Sequence, residues 1–552
     1  MIADRVVEVI EEELDRGVVG VAVAVVAGTE VQWSGAFGRL DVERTQPVTT
    51  DTVFPLQSVS KPIVATAFMH WVERGAVGLD DPVNRHLAPL EVRNEWEQDS
   101  PVTIRQLLTH TAGLPVSLGW GASSSIEQLI ADEVHTEARP GTRLIYANWG
   151  YDIVGYLAAR LAGTTKWDEA VADAVLRPLG MMATTSASSD GAARDVDAPT
   201  GHAVSQLDGS HLRLGPPPWP VQPGPPSGAL VSTVGDLARF LIAHLNGGGP
   251  ALRPDTVADM HRVHAALGNG GGGMGLGFRV DSRGGRPFFC HGGDGSGFTT
   301  FVGGHPDERV GAIVLLNVGG AQEARSRIAR AALESALGDA NGRARTGARS
   351  SRPATGGYLS TYWGMRAEVS EEGGVPVVAF PANAVTFAES VSRLTEVGGR
   401  WRADGGMFDG FELDFEGTGD ERSFVGGLYP FEFVADDTTR ATLPVAVDET
   451  GDLFGRWAGV MDTPIGPVPL DLTVDAGTVT VGFLGTESVD TDAETANGWI
   501  RARFAPEVAG FGVLDVYARL GLTEGRLQGL LYARHDAGEF AIPTVLEREG
   551  SA

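Results

Sequence analysis

The sequence predicts an α/β domain whose sheet is closed by strands from both chain ends, followed by an all-β region built as a barrel or a sandwich. Three observations carry this. Strand-like runs at 21–27, 31–37, 298–302 and 310–316 bracket a long middle of helical patterns, the order expected when both ends of one segment feed a single sheet. Between Leu337 and Gly357 lies a run with no large apolar residue, rich in Gly, Ala, Arg and Ser, which reads as a linker. Beyond it, short alternating runs recur, separated by Gly, Asp and Asn, the rhythm of an all-β architecture.

The first element is an amphipathic helix, with Ile2, Val6, Val9, Ile10 and Leu14 at helical spacing. The Val-rich stretch from Gly17 to Gly28 is about half the length of a membrane span and reads as a buried strand. The opening residues lack the basic and apolar regions of a secretory signal, so a soluble, cytoplasmic protein is expected. Helical patterns follow at Ile63 to Arg74, Ile104 to Leu108, Tyr151 to Leu161, Gly235 to Leu245 and Ala321 to Leu337, with Gly215 to Gly228 a Pro/Gly loop. The expected division is a catalytic unit at 1–337, a linker at 338–356, and β modules at 357–445 and 446–552, with one larger barrel as the alternative to two modules. Two similar openings motivate the pair: Tyr358-Leu-Ser-Thr-Tyr-Trp363-Gly364 and Phe454-Gly-Arg-Trp457-Ala-Gly459.

Of the 552 residues, 42% are hydrophobic and 21% charged, a globular composition. At about 150 residues per domain the length corresponds to three or four units. Acids outnumber bases for a formal net charge of -28, which argues against nucleic-acid and membrane-surface partners through plain repulsion. Lysine occurs only at Lys61 and Lys166, leaving 41 Arg. A surface adapted to high salt and a genome that favours Arg codons both account for this. The single cysteine, Cys290, excludes an intrachain disulfide and a thiolate metal cluster.

One of the two lysines lies three residues after a serine, in Phe54-Pro-Leu-Gln-Ser58-Val-Ser-Lys61-Pro62. On a helix these positions are one turn apart, so the amine can reach the hydroxyl. A hydroxyl is a poor nucleophile near neutral pH, and a lysine desolvated at a helix start can act as its base. Downstream come Tyr146-Ala-Asn148 before an apolar helix, and Phe289-Cys290-His291-Gly292-Gly293-Asp294 after a strand-like run. Ser-x-x-Lys, Tyr-x-Asn and a basic residue with Gly two later, in that order, resemble the three-part arrangement of the penicillin-recognising serine hydrolases. The chain is similar to their class C β-lactamase, D-amino-acid peptidase and carboxylesterase branch over residues 1 to 337. Further matches are Gly75-Ala-Val-Gly-Leu79-Asp80-Asp81-Pro82, Leu107-Leu-Thr-His110-Thr-Ala-Gly113 and Ser227-Gly-Ala-Leu-Val-Ser-Thr-Val-Gly235.

The resemblance implies a β-lactamase/transpeptidase-like fold, an antiparallel sheet flanked by helices plus a helical subdomain. It implies Ser58 as the acylated nucleophile, with Lys61 and Tyr146 moving the proton to the leaving group and then activating water. Asn148 would orient the substrate and Lys61, and His291, Gly293 and Asp294 would line the binding strand. The oxyanion hole would be the backbone N–H groups of Ser58 and Asp294. The third motif departs from the usual Lys-Thr-Gly of β-lactamases. His291 is expected to be partly charged near neutral pH, which disfavours strong β-lactamase activity. The Asp294 carboxylate either attracts a substrate α-amine or closes the turn.

Weaker signals are read as structural. His110 is expected to hold loops. His261 and His264 share a helix face but have no companion for a metal. The run Gly268-Asn-Gly-Gly-Gly-Gly-Met resembles a phosphate loop without its Lys, and Asp490-Thr-Asp492-Ala-Glu494 resembles part of a calcium loop without its Gly. The expected function is a serine hydrolase needing no cofactor or metal, forming an acyl-enzyme on small amides or esters, D-amino-acid peptides first. Alternatives are a carboxylesterase, a weak β-lactamase, or a non-catalytic penicillin- or peptide-binding protein. Expected partners are small substrates, with self-association through the β region.

Overall fold

A computed structural model of the chain describes residues 2–548 apart from 115–124, 133, 137, 143, 187–197, 205–210, 214–224, 267–271, 284–285, 296, 338–351, 361–364, 381–389, 398–399, 405–411, 417–422, 427–428, 434–451, 464–465, 476–477, 484–485, 491–492, 497–498, 505–506, 509–511, 514, 524 and 536–537. The central sheet has eight strands: β1 (Gly20–Ala27), β2 (Glu30–Gly38), β3 (Ala265–Ala266), β4 (Gly273–Met274), β5 (Arg279–Arg283), β6 (Arg286–Gly295), β7 (Phe298–His305) and β8 (Val310–Leu316). Their order is β2-β1-β8-β7-β6-β5-β4-β3. β1 pairs antiparallel with β8, Val21 opposite Leu316 and Ala27 opposite Val310, so strands from both ends of the unit meet inside the sheet, one strand in from its β2 edge.

The run Gly20–Ala27 is apolar without alternation because both faces are covered. Val21, Val23 and Val25 face a layer of two helices, α1 (Ile2–Asp15) and the closing α6 (Gln322–Leu337), where they meet Val6, Ile10 and Ile328. Ala22, Ala24 and Val26 face the other way, into a larger core with α2 (Ser60–Glu73), α3 (Ile104–Leu108), α4 (Asn148–Ala162) and α5 (Val234–Leu245). Antiparallel sheet, two flanking helical layers and a helical insertion make up the β-lactamase/transpeptidase-like fold.

Helix α2 begins at Ser60, three residues before the apolar run suggests. Pro62 falls in its first turn, where the missing N–H needs no partner. Behind α2 runs a buried chain of hydrogen bonds. Thr66 donates to the Pro62 carbonyl at 2.6 Å, so His244 Nε2–H donates to Thr66 Oγ1 at 3.0 Å and His261 Nε2–H to His244 Nδ1 at 3.1 Å. Burial holds both imidazoles well below their ordinary pKa, His244 at about 3.

Beyond residue 352 the described chain is all β. Eight strands between Gly356 and Phe433 close into a barrel, and nine strands between Gly455 and Arg548 form one further sheet. Each begins alike. Gly356 and Gly455 both adopt positive φ, 138° and 125°, conformations open to glycine. Two residues on, a buried aromatic donates to the carbonyl four residues back: Tyr358 Oη to Ala354 at 2.7 Å and Trp457 Nε1 to Leu453 at 3.0 Å. The structural match thus aligns Tyr358, not Trp363, with Trp457; residues 361–364 lie outside the described set.

Candidate active site

Strand Phe54–Pro55 pairs with Leu230–Ser232, and the chain then turns sharply through Gln57, whose φ is +51°. A single 3-10 turn, Gln57–Val59, carries Ser58 and leads directly into α2. The Ser60 hydroxyl accepts the Leu230 N–H at 3.1 Å, pinning the start of α2 to the strand. Ser58 and Lys61 therefore straddle a 3-10/α junction instead of sharing one α-helix. The three-residue spacing still brings Lys61 Nζ to 2.9 Å from Ser58 Oγ.

Lys61 is fully buried, unlike Lys166, which is exposed and paired with Glu169. Its Nζ donates to the Ser227 carbonyl at 2.9 Å and lies over the rings of Tyr146, at 4.9 Å, and Tyr151, at 5.8 Å. Desolvation dominates its protonation and brings its pKa from 10.5 to about 7, against the opposing pull of Asp152. With the proton on lysine, Nζ donates to Ser58 Oγ; with neutral lysine, the same contact lets the hydroxyl donate to Nζ. Near pH 7 both arrangements are accessible, as a base for serine requires.

Tyr146 is buried just before α4 and lies against His110, ring centroids 4.3 Å apart and the planes tilted by 31°. The Ala147 N–H donates to His110 Nδ1 at 3.2 Å, which places the imidazole proton on Nε2. Burial, reinforced by Lys61, His291 and Arg279, holds His110 well below 6.5, so it is a neutral support for the Tyr146 segment. Asn148 is half-buried at the first position of α4. Among the described residues the hydrogen bonds of Lys61 run to Ser58 and Ser227, not to Asn148, and the buried Asn148 Oδ1 has no hydrogen-bond partner.

The third motif lies on β6. His291 is buried, and its Nδ1–H donates to the Gly292 carbonyl at 2.7 Å, leaving Nε2 as an acceptor. Burial first, then the charges of Lys61 and Arg279, hold its pKa well below 6.5. The partly charged imidazole expected from its ordinary pKa is thus a neutral one. Gly293 passes so close to the Ser58 turn that a Cβ there would sit 2.3 Å from the Leu56 carbonyl and 2.4 Å from Thr300 Oγ1. The Asp294 carboxylate is half-exposed and accepts from Arg325 of α6 at 2.8 Å, so its charge is already matched.

Sequence reasoning missed Gln57, Asp152, Arg279 and Arg325, and the part played by the Ser227 backbone. Asp152 had a signal: it is the sole acid in the apolar helix Asn148–Ala162. Arg279 and Arg325 had none, because their place beside the site depends on strand pairing and on α6 packing. His261 and His264 do not share a helix, since Pro254–Met260 ends before them. His261 stacks on Phe289, while His264 meets Arg105 and Asp259. Among the described residues no three His, Cys, Asp or Glu side chains converge as metal ligands, and no helix is long and apolar enough to cross a membrane. Residues 268–271 and 491–492 lie outside the described set. Cys290 is buried against the α1 and α6 layer.

The Beta-lactamase family model matches residues 6–337. The chain is 34% identical over 199 residues to "Esterase EstB" of Burkholderia gladioli, covering 33% of this chain and 50% of that protein. It is 31% identical over 230 residues to "Penicillin-binding protein 4" of Amycolatopsis lactamdurans, covering 40% and 57%. The chain thus spans about half the length of these curated relatives. Among solved structures, the octameric penicillin-binding protein homologue from Pyrococcus abyssi matches with a TM-score of 0.53 at 23% identity, over 78% of this chain and 99% of that one. EstCE1, a hydrolase with promiscuous acyltransferase activity, matches with a TM-score of 0.54 at 25% identity, over 60% and 98%.

Proposed function

The chain belongs to the Beta-lactamase family, and from that premise we propose that it is a serine hydrolase working through an acyl-enzyme on Ser58. The observation that carries this reading is the 2.9 Å contact between Ser58 Oγ and a fully buried Lys61 whose pKa lies at about 7. Lys61 takes the hydroxyl proton as Oγ attacks the carbonyl, and the resulting ammonium returns it to the leaving group. Tyr146, packed against Lys61, is the second member of this proton path. The N–H groups of Ser58 and Asp294 serve as oxyanion donors, which fits the close approach of Gly293 to the Leu56 carbonyl. Asn148 orients the acyl group.

The substrates proposed are small amides and esters, with D-amino-acid amides and peptides first. A neutral His291 removes the fixed cation that the third motif would offer a substrate carboxylate, which counts against β-lactams. It favours acyl groups without a free carboxylate, and therefore short carboxylic esters as the second reading. The similarity to "Esterase EstB" supports the same choice. Arg325 already neutralises Asp294, so an α-amine would find little free charge there.

The test is a panel of D-amino-acid p-nitroanilides, p-nitrophenyl esters and nitrocefin under multiple-turnover conditions, with a fluorophosphonate probe read by mass. Turnover and one probe adduct on Ser58 are expected. Ser58→Ala should lower kcat by a factor of ~1,000 or more. A binding protein without catalysis would retain ligand and show no turnover, and Ser58→Ala activity equal to wild type would sink the proposal.

A further inference from the structure

We propose that Asp152 is a positioning residue for the Ser58–Lys61 pair: it holds Ser227 in place for Lys61 and supplies the counter-charge for the ammonium formed when Lys61 takes the serine proton. This rests on the reading of Lys61 as the proton acceptor. Four groups form one continuous path. Asp152 Oδ1 accepts the Ser227 N–H at 3.0 Å. The Ser227 carbonyl accepts from Lys61 Nζ at 2.9 Å, and Nζ stands 2.9 Å from Ser58 Oγ. Ser227 is thus fixed at its N–H by α4 and presents its C=O to the base on α2.

Asp152 is fully buried and is the lone acid of a helix that otherwise packs through apolar residues. Burying a carboxylate is costly unless it is paired, and an apolar residue would serve the packing of α4 better. The groups around Lys61 are Tyr146 and Tyr151 over its amine, with His110 from the loop after α3 and His291 from β6, each of which feels the lysine charge. The two histidines are held neutral, and the charge of Arg279 on β5 bears on them. Asp152 is the acid in this group, and its charge pulls the lysine pKa upward against desolvation.

The step balances simply. The Ser58 O–H bond breaks as the Oγ–C bond to the substrate carbonyl forms, and the proton moves to the Nζ lone pair. The ammonium then gives the proton to the departing amine or alkoxide, which regenerates neutral lysine. Each passage creates and discharges one positive charge beside Asp152. Without the carboxylate that charge would form in a buried site with no counter-charge from Asp152, which raises the barrier to forming it.

Asp152→Asn separates the two parts of the role, because the amide oxygen can still accept the Ser227 N–H while the charge is gone. Two readouts apply: the pH dependence of kcat/KM on a short p-nitrophenyl ester, and the titration of 13C-labelled lysine, which in this chain has two residues to report, Lys61 and Lys166. The acid limb and the Lys61 midpoint should move down together by about one pH unit, with Lys166 unmoved. Asp152→Glu, which keeps the charge, should leave the midpoint nearer to wild type. A Lys61 midpoint unchanged in folded Asp152→Asn overturns the proposal. Should that variant fail to fold, Asp152→Ser is read by the same criterion. The wild-type chain alone is also decisive, since a Lys61 midpoint of about 5, as for a buried lysine with no anionic partner, would overturn it. The lysine titration needs no turnover, so its failure is distinct from a failure of Ser58 to be acylated.

Discussion

At the scale of single residues, Lys61 shows how burial brings the pKa of a common side chain down to about 7, where it can serve as the base we propose. The chain has 41 arginines and two lysines, and the proposed role of Lys61, losing its proton near neutral pH, is one that arginine cannot perform. Lys61→Arg keeps the positive charge and should lower kcat by ~1,000-fold or more at every pH, measured on a p-nitrophenyl ester. With the neutral amine as the proposed base, kcat/KM should climb about tenfold per pH unit below the lysine pKa of about 7 and flatten above it. An activity that falls as pH rises through 7 would reverse the assignment. The linkage to stability has the same sign. The native pKa lies below the unfolded value of 10.5, so between about 7 and 10.5 the unfolded chain holds a proton that the native chain does not, and Lys61 costs least at the upper end.

At the scale of elements, the site is a meeting of the α2 start, the α4 start and the end of β6. What brings them together is close backbone approach. A methyl group at Gly293 would collide with the Leu56 carbonyl and Thr300 Oγ1, two groups already hydrogen-bonded to each other at 2.8 Å. Gly293→Ala should therefore push β6 away from the Ser58 turn. The expected result is a kcat/KM reduced by ~100-fold and a stability loss of roughly 1–3 kcal/mol, measured by ester turnover and denaturant midpoint. Full activity in this variant would mean that β6 does not set the oxyanion geometry. Much at this scale was legible in the sequence. Apolar runs at 21–27 and 310–316 anticipated the central strands because burial on both faces leaves a continuous Val/Ile/Leu pattern. The 3-10 turn carrying Ser58 was not legible, since a three-residue spacing looks the same on either side of a 3-10/α boundary. Nor was the α2 start, which Pro62 disguised.

At the scale of the whole molecule, the hydrophobic clusters divide along the chain. Those around the central sheet draw on residues from Val6 to Leu333, and that of the last sheet on residues from Leu453 to Leu546. A unit with its own core should fold alone. A chain ending just after α6, near residue 340, is expected to give a cooperative thermal transition and to hydrolyse a short p-nitrophenyl ester within about tenfold of the full chain. Loss of the cooperative transition would show that the β region completes the core. The barrel and the last sheet share an opening of positive-φ glycine and an aromatic bonded four residues back, and on that likeness we propose that they are a tandem pair.

The sequence by itself determined the candidate site residues and the order in which they come: a serine, a lysine three residues on, a Tyr-x-Asn and a His-Gly-Gly. It also determined the central strands, because hydrophobic periodicity is a local property that survives into the fold. Only the tertiary structure decided the charge each of these groups carries. The neutral His291, the titratable Lys61 and the Asp294 already matched by Arg325 all follow from desolvation and from charges brought in by distant segments. The same is true of Asp152, whose value to the site lies in Ser227, 75 residues away in the chain. Protonation is set by what surrounds a group in space, and in a sequence those surroundings are scattered over residues 61 to 325.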